Sequence, residues 1–166
     1  MFEPIGVIRT ARLDKTDTPV QSSLNRDEIG TAVIDDPFVD ALDGVDEFSH
    51  AWLLTWLGAD DHRATDVELR QTPFLMRDER RSLGVFAMRG PRRPNPIGLS
   101  LVEVVSVDGA SVRFRGVDMV DGTPLLDIKP YVTRFDQPVD GVRCGWFDTV
   151  DLSDGVTPGS LRTQRS

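Results

Sequence analysis

The sequence predicts an all-β, mainly antiparallel fold, a single β-barrel domain with one short helix and long loops. Three observations carry that prediction. The apolar runs are of strand length and several alternate with polar residues. Turn signals, among them Asp108-Gly109 and Asp121-Gly122, recur at intervals of roughly eight to twelve residues. Only one stretch, Pro37 to Asp43, is punctuated as a helix at both ends. At 166 residues the chain is long enough for one full core and too short for two ordinary domains. Residues 1–152 are therefore expected to form the domain and residues 153–166 a polar, frayed tail.

Taken in order, Phe2 to Ala11 reads as a strand with Ile5, Val7 and the stem of Arg9 on one side, and Thr16 to Ser23 has loop composition. Gly30 to Ile34 is a second strand. Asp36 fits an N-cap, Pro37 the first helical position and Gly44 a stop, which makes Pro37 to Asp43 a short helix. Phe48 to Leu57 is a bounded, aromatic-rich apolar run, read as a buried strand. Gly58 to Ser82 is a polar excursion, with enough alternation over Asp66 to Gln71 for another strand; segments this long tend to be functional loops. Gly84 to Met88 is again of strand length. Leu101 to Val107 and Ser111 to Val117 alternate on either side of Asp108-Gly109 as a hairpin. Asp121-Gly122 then reverses the chain between Val117–Val120 and Leu125–Ile128, and Cys144 to Val150 holds residual strand character.

The least ordinary stretch is GVFAMRGPRRPNPIGLSL, residues 84–101. Pro91, Pro94 and Pro96 fix φ, lack an amide donor and push their predecessors toward extended geometry, so Arg93 and Asn95 are held between prolines. Such a loop loses little further entropy on ordering and can display Arg89, Arg92, Arg93 and Asn95 in one geometry. The plainer reading is a Pro-rich surface connection with solvated arginines. Charge favours a ligand here. The chain carries 27 acidic against 19 basic residues, a net −8, yet Arg77 to Arg93 holds six Arg (Arg77, Arg80, Arg81, Arg89, Arg92, Arg93) against Asp78 and Glu79, which is +4 locally and therefore −12 elsewhere. An anionic ligand has one basic place to go, with Arg77, Arg80, Arg81, Arg92 and Arg93 as candidate contacts. The basic residues are nearly all Arg, since Lys15 and Lys129 are the only lysines, and the acids are mostly Asp. That bias suits a protein kept soluble in concentrated salt, although moderate acidity also serves plain solubility.

Several chemistries are excluded or disfavoured. No apolar run reaches membrane-spanning length and the N-terminus lacks a signal-peptide pattern, so the expectation is a cytoplasmic protein with no membrane partner. Cys144 is the only cysteine and His50 and His62 the only histidines, so no metal site is expected. The dinucleotide and P-loop glycine patterns and the G-x-S-x-G elbow are absent. What remains is the arginine loop and the acid-rich turn VDMVDGTPLLDIKPY, which places Asp118, Asp121 and Asp127 close in sequence, followed by Lys129 and Tyr131. Clustered carboxylates want a cation, an amine or a sugar hydroxyl, unless they merely cap turns. Tyr131, Trp52, Trp56 and His50 are equally at home in a core.

Read together, FEPIGVIRT, Pro19-Val20-Gln21, EFSHAWLLTW, GVFAMRGPRRPNPIGLSLVEV and VDGTPLLDIKPYV resemble the TrmO/TsaA/YaeB-like family of tRNA-modifying methyltransferases over nearly the whole chain. The resemblance implies a β-barrel homodimer that uses S-adenosylmethionine to methylate the exocyclic amine of threonylcarbamoyladenosine beside the anticodon of threonine tRNA. It implies cofactor contacts at Pro19, Val20, Gln21, Gly58, Ala59, Arg89, Leu99, Arg115, Gly116, Val117 and Asp118. Two positions depart from the family pattern: Val20 stands where Arg is usual and Gly58 where His is usual, with His62 as a substitute nearby. The chain also resembles a short form without the extra C-terminal domain of bacterial members. Methyl transfer from a sulfonium asks mainly for positioning, and a weakly nucleophilic adenine amine is helped by acceptors on its N–H bonds. Asn95 and Asp121 are the candidate acceptors and Tyr131 a candidate stacking partner, the three making up the catalytic set. The alternative class is a non-catalytic β-barrel sensor that binds RNA or a nucleotide.

Overall fold

The computed structural model describes residues 2–58, 63–76, 80–150 and Thr157. Eight strands form among the described residues: β1 (Gly6–Arg9), β2 (Ile29–Ile34), β3 (His50–Trp56), β4 (Arg70–Gln71), β5 (Leu83–Gly84), β6 (Ile97–Asp108), β7 (Ser111–Arg115) and β8 (Pro124–Pro130). Six of them, all antiparallel, close into a barrel in the order β1-β2-β7-β6-β3-β8. The remaining two, β4 and β5, form a small separate sheet outside the barrel. Closure leaves no long unpaired edge, since β1 meets β2 on one side and β8 on the other.

The predicted hairpin is present. β6 and β7 pair from Asp108↔Ser111 around a two-residue turn in which Gly109 takes φ +53°, and a register shift between Val104 and Ser106 bends β6. The apolar run at 48–57 yields β3, whose inward phase is Ala51, Leu53 and Thr55. The core they join is built on Ile8, Ala32, Ile34, Val102, Val112, Phe114, Val117, Met119 and Leu125. Gly30 lies opposite Phe114, where an added Cβ would stand 2.6 Å from the ring, so the missing side chain is what seats the phenyl group.

Four expectations need correction. β1 presents Gly6 and Ile8 to the interior, the opposite phase from Ile5, Val7 and Arg9. The helix at 37–43 is a 3₁₀ helix over Asp36–Leu42 with Asp35 at the N-cap, and a single α-helical turn not foreseen forms at Thr133–Asp136. Gly84 to Met88 is not a strand: only Leu83–Gly84 pairs, and Val85–Ala87 winds into a 3₁₀ turn. Cys144 to Val150 is also 3₁₀, over Gly145–Thr149, and its Trp146 indole donates to the Ala87 carbonyl at 2.8 Å, clasping the base of the arginine loop. Of the long excursion, only Arg70–Gln71 is strand among the described residues. Among the same residues no helix is long and apolar enough to cross a membrane, and no cluster of metal-ligating side chains occurs.

Candidate functional site

At the end of the barrel where β3 finishes and β6 begins, a cavity of about 790 Å³ opens, a size that suits a nucleoside-scale ligand. Three loops and two strand ends wall it: Thr18–Gln21, the proline loop from Met88 to Asn95, the turn Asp118–Pro124, Thr55–Gly58 and Ile97–Ser100. Each loop is tied down. Arg12 forms an ion pair with Glu28 and donates to the Asp17 carbonyl, which moors the first loop beside β2. Burial works to raise the Glu28 carboxyl, but hydrogen bonds from Arg12 and Asn25 outweigh it and hold it below its ordinary value. The proline loop is fixed by the Pro96 carbonyl, which accepts the Leu57 amide at 2.7 Å, and by Arg93, whose guanidinium donates to the Met88 carbonyl at 3.1 Å. The acidic turn is held by Asp121, whose carboxylate accepts the Thr10 amide at 3.1 Å and pairs with Arg9 at 3.3 Å.

Asp118 is the electrostatic centre of the cavity. It accepts the Ser100 hydroxyl at 2.7 Å and the Ser22 amide at 2.9 Å. Burial pushes its carboxyl above the ordinary range, against the opposing pull of those hydrogen bonds and of the nearby Arg89 charge. Arg89 is exposed at the mouth, with one long 3.5 Å hydrogen bond to the Leu99 carbonyl. A recessed acid facing an exposed cation is an arrangement able to hold the two ends of a zwitterion.

Of the expected site residues, the cavity gathers Pro19, Val20, Gln21, Gly58, Arg89, Leu99, Asp118, Asn95, Asp121 and Arg93. Seven others among the described residues do not line it: Arg80, Arg81, Arg92, Arg115, Gly116, Val117 and Tyr131. Arg115 pairs with Glu103 on the outside of the barrel, Gly116 turns the chain at φ +100°, and Val117 is wholly buried in the core. Tyr131 lies at the far end of β8, its ring edge-on to Trp52 at 6.0 Å and to His50 at 6.4 Å. Ala59, His62 and Arg77 lie outside the described residues. Arg80, Arg81 and Arg92 are exposed, with Arg80 at φ +51°. At Gly58 an added Cβ would stand 2.8 Å from the Trp56 indole and 2.9 Å from Pro96, so these two rings fill the space a larger residue would need. The residues missed by sequence reasoning are the polar ones at the closed end, Thr18, Thr55, Ser100 and Thr123, all buried and all lining the cavity. Their signal was a polar side chain on the inward phase of an otherwise apolar strand, legible for Thr55 in β3 and Ser100 in β6.

Residues 7–137 match the tRNA-methyltransferase O N-terminal domain family. A probable S-adenosyl-L-methionine-binding protein of Pyrococcus abyssi is 43% identical over 147 residues, covering 89% of this chain and 76% of its own. The tRNA (adenine(37)-N6)-methyltransferase of Mus musculus is 38% identical over 83% of this chain, which spans only 32% of that protein. The crystal structure of TrmO from Pseudomonas aeruginosa superposes with a TM-score of 0.72 at 35% identity, covering 91% of this chain and 64% of that one. The chain thus spans less than two thirds of that crystallised relative. With the match running from β1 through the turn after β8, this chain belongs to the tRNA-methyltransferase O N-terminal domain family.

Proposed function

We propose that this protein is an S-adenosylmethionine-dependent methyltransferase that modifies the exocyclic amine of adenine 37 in tRNA, the position named for its mammalian relatives. The finer reading is threonylcarbamoyladenosine as the target, threonine tRNA as its carrier, and a homodimer as the working unit in the cytoplasm. The observation that carries the reading is the cavity in which a recessed Asp118 faces Arg89 beside a loop stiffened by three prolines.

The residues fit that cofactor. Asp118 suits its amino group, Arg89 its carboxylate, and the exposed apolar rim of Ile97 and Leu99 a purine face. The buried Thr55 hydroxyl, which finds no hydrogen-bond partner among the described residues, further supports a site shaped for a ligand. When bound, S-adenosylmethionine supplies an electrophilic methyl group on a sulfonium. The protein's task is then to hold the amine in line and to exclude water. Asn95, exposed at the rim between Pro94 and Pro96, offers its carbonyl oxygen to an N–H of the amine, which orients the nitrogen lone pair. Asp121, fixed by Arg9 and the Thr10 amide, is the carboxylate proposed to take the released proton. Arg80, Arg81 and Arg92 are the proposed phosphate contacts. Ile97 and Leu99, 37% and 47% exposed, also form part of an outward apolar band with β3 that supports the dimer reading. The direct test is single-turnover methylation of tRNA with and without threonylcarbamoyl modification, read by nucleoside mass spectrometry. Methyl incorporation into neither tRNA sinks the reading.

Arg89→Ala is expected to weaken S-adenosylmethionine binding by ~1.5–3 kcal/mol, the range for a hydrogen bond to a charged group. Calorimetric titration checks it, and an unchanged dissociation constant removes Arg89 from the site. Asn95→Ala should lower the single-turnover rate while leaving cofactor affinity within about threefold, as an interaction made mainly in the transition state does. Equal loss of both would make Asn95 a clip for its loop instead.

A further inference from the structure

Among the described residues, the buried side chains with hydroxyl groups are Thr18, Ser22, Thr55, Ser100 and Thr123, and four of these five line the cavity. Four of the five have partners inside the protein. Thr18 donates to the Asp14 carbonyl at 2.8 Å, Ser22 to the Leu101 carbonyl at 2.8 Å, Ser100 to Asp118 at 2.7 Å and Thr123 to the Val120 carbonyl at 2.8 Å. Thr55 is the exception: it is 0% exposed, and its Oγ1 is the one buried side-chain polar atom without a hydrogen bond among the described residues. Leaving such a group unpaired is costly, whereas valine has the same shape and no such cost.

The position of the hydroxyl says what it is for. Thr55 pairs with Gly98 across β3 and β6, and a Cβ at residue 98 would stand 2.3 Å from Oγ1. Glycine is therefore the residue that leaves room for this hydroxyl, which is buried in a residue of the cavity wall. The next inward position of β6 is Ser100, which carries the hydrogen bond to Asp118. The closed end thus offers a hydroxyl and a carboxylate on neighbouring inward positions, while the mouth offers Ile97, Leu99 and Arg89. A ligand with an apolar aromatic end and a compact cationic donor end matches that order, with the donor innermost.

We propose that Thr55 Oγ1 is a ligand-binding group which, with Asp118, receives the amino group of the cofactor's amino-acid end. This rests on the cofactor reading above and adds a residue and a contact to it. The Thr55–Gly98 pair then sets specificity for nucleosides carrying an amino-acid tail over those without one. The hydroxyl is a binding and positioning group, and no bond is made or broken at it.

The experiment is calorimetric titration of wild type, Thr55→Val and Thr55→Ser with S-adenosylhomocysteine, which keeps the amino-acid end, and with methylthioadenosine, which lacks it. Thr55→Val should weaken S-adenosylhomocysteine binding about tenfold or more and leave methylthioadenosine within about twofold, and Thr55→Ser should restore most of the loss. A second readout guards against misfolding. Removing an unpaired buried hydroxyl should hold or raise the melting temperature of the ligand-free Val variant, by up to about 4 °C for a chain of this size. Equal losses for both ligands would place the contact on the nucleoside and overturn the proposal, as would unchanged affinity or a lowered melting temperature. Wild type that binds neither compound overturns the cofactor reading itself, a result distinct from a Thr55 variant that matches wild type.

Discussion

Asp118→Asn is expected to raise the dissociation constant for S-adenosylhomocysteine by about thirtyfold or more at neutral pH, since losing one partner of a charge pair buried in the complex costs about 2–5 kcal/mol. The asparagine oxygen can still accept the Ser22 amide, and the Ser100 hydroxyl can turn to accept from the new amide, so the substitution removes charge more than shape. Two accompanying signs separate loss of a ligand contact from loss of a brace. Burial holds the native carboxyl above its ordinary range, so the folded chain binds this proton more readily than the unfolded chain. The ligand-free protein therefore gains stability from this group as pH falls through the interval between the folded and unfolded pKa values, and above that interval it carries the full desolvation penalty. Asp118→Asn abolishes the penalty, and the variant's melting temperature at neutral pH should equal or exceed that of wild type. The affinity moves oppositely. Wild type should lose affinity on acidification as the carboxylate is protonated, while the variant's weaker affinity stays flat over the same range. A fall in affinity and melting temperature together, with no change in pH dependence, would make Asp118 a strut between Ser22 and Ser100.

The barrel was legible because alternation has a period of two and a turn glycine breaks it, as at Asp108-Gly109 between β6 and β7. The phase of β1 was not, because one of its two inward residues is Gly6, which carries no hydrophobic signal. It is there for backbone approach: an added Cβ would stand 2.1 Å from the Val33 carbonyl oxygen. Prolines marked residues 91–96 as a loop rather than a strand or helix, but nothing local shows that Trp146, distant in sequence, clasps its base at Ala87. Proximity in sequence misled in the acidic turn. Asp121 and Tyr131 are separated by β8, whose seven residues span about 20 Å, so the strand carries Tyr131 to the other end of the barrel. Similarly, Arg115 ends β7 on its outward phase while Asp118, just beyond, has turned inward. At Gly58 nothing in the sequence shows why a small residue stands there, whereas the structure has Trp56 and Pro96 in the space a larger side chain would need.

Affinity for tRNA should hold level or rise between about 0.1 and 2 M KCl, the opposite of the steep decline shown by basic RNA binders, which lose about 10³–10⁵ in affinity between 50 and 200 mM salt. Two charges are in conflict. The chain carries net −8 and the proposed substrate is a polyanion, while the compensating +4 is confined to residues 77–93. Of that segment's arginines among the described residues, Arg80, Arg81, Arg89 and Arg92 are exposed, and Arg93 is turned in to brace the loop. Local attraction is therefore carried by few guanidiniums, and the −12 borne by the rest of the chain repels the same ligand from farther away. At about 0.01 M salt the Debye length is about 30 Å, comparable to the whole domain, so the distant acids act on an approaching tRNA almost unscreened. At about 1 M it falls to about 3 Å, which silences that repulsion and leaves only groups in contact with the RNA. Counterion release at about three or four arginines opposes binding as salt rises, but its slope scales with the number of phosphates neutralised and is correspondingly shallow. Filter binding and methylation rate across the salt series check the outcome, with circular dichroism to establish that the protein stays folded throughout. A steep loss of affinity in folded protein would mean that the arginines dominate, that the acids lie too far from the docked RNA to matter, and that the Asp-rich composition serves solubility alone.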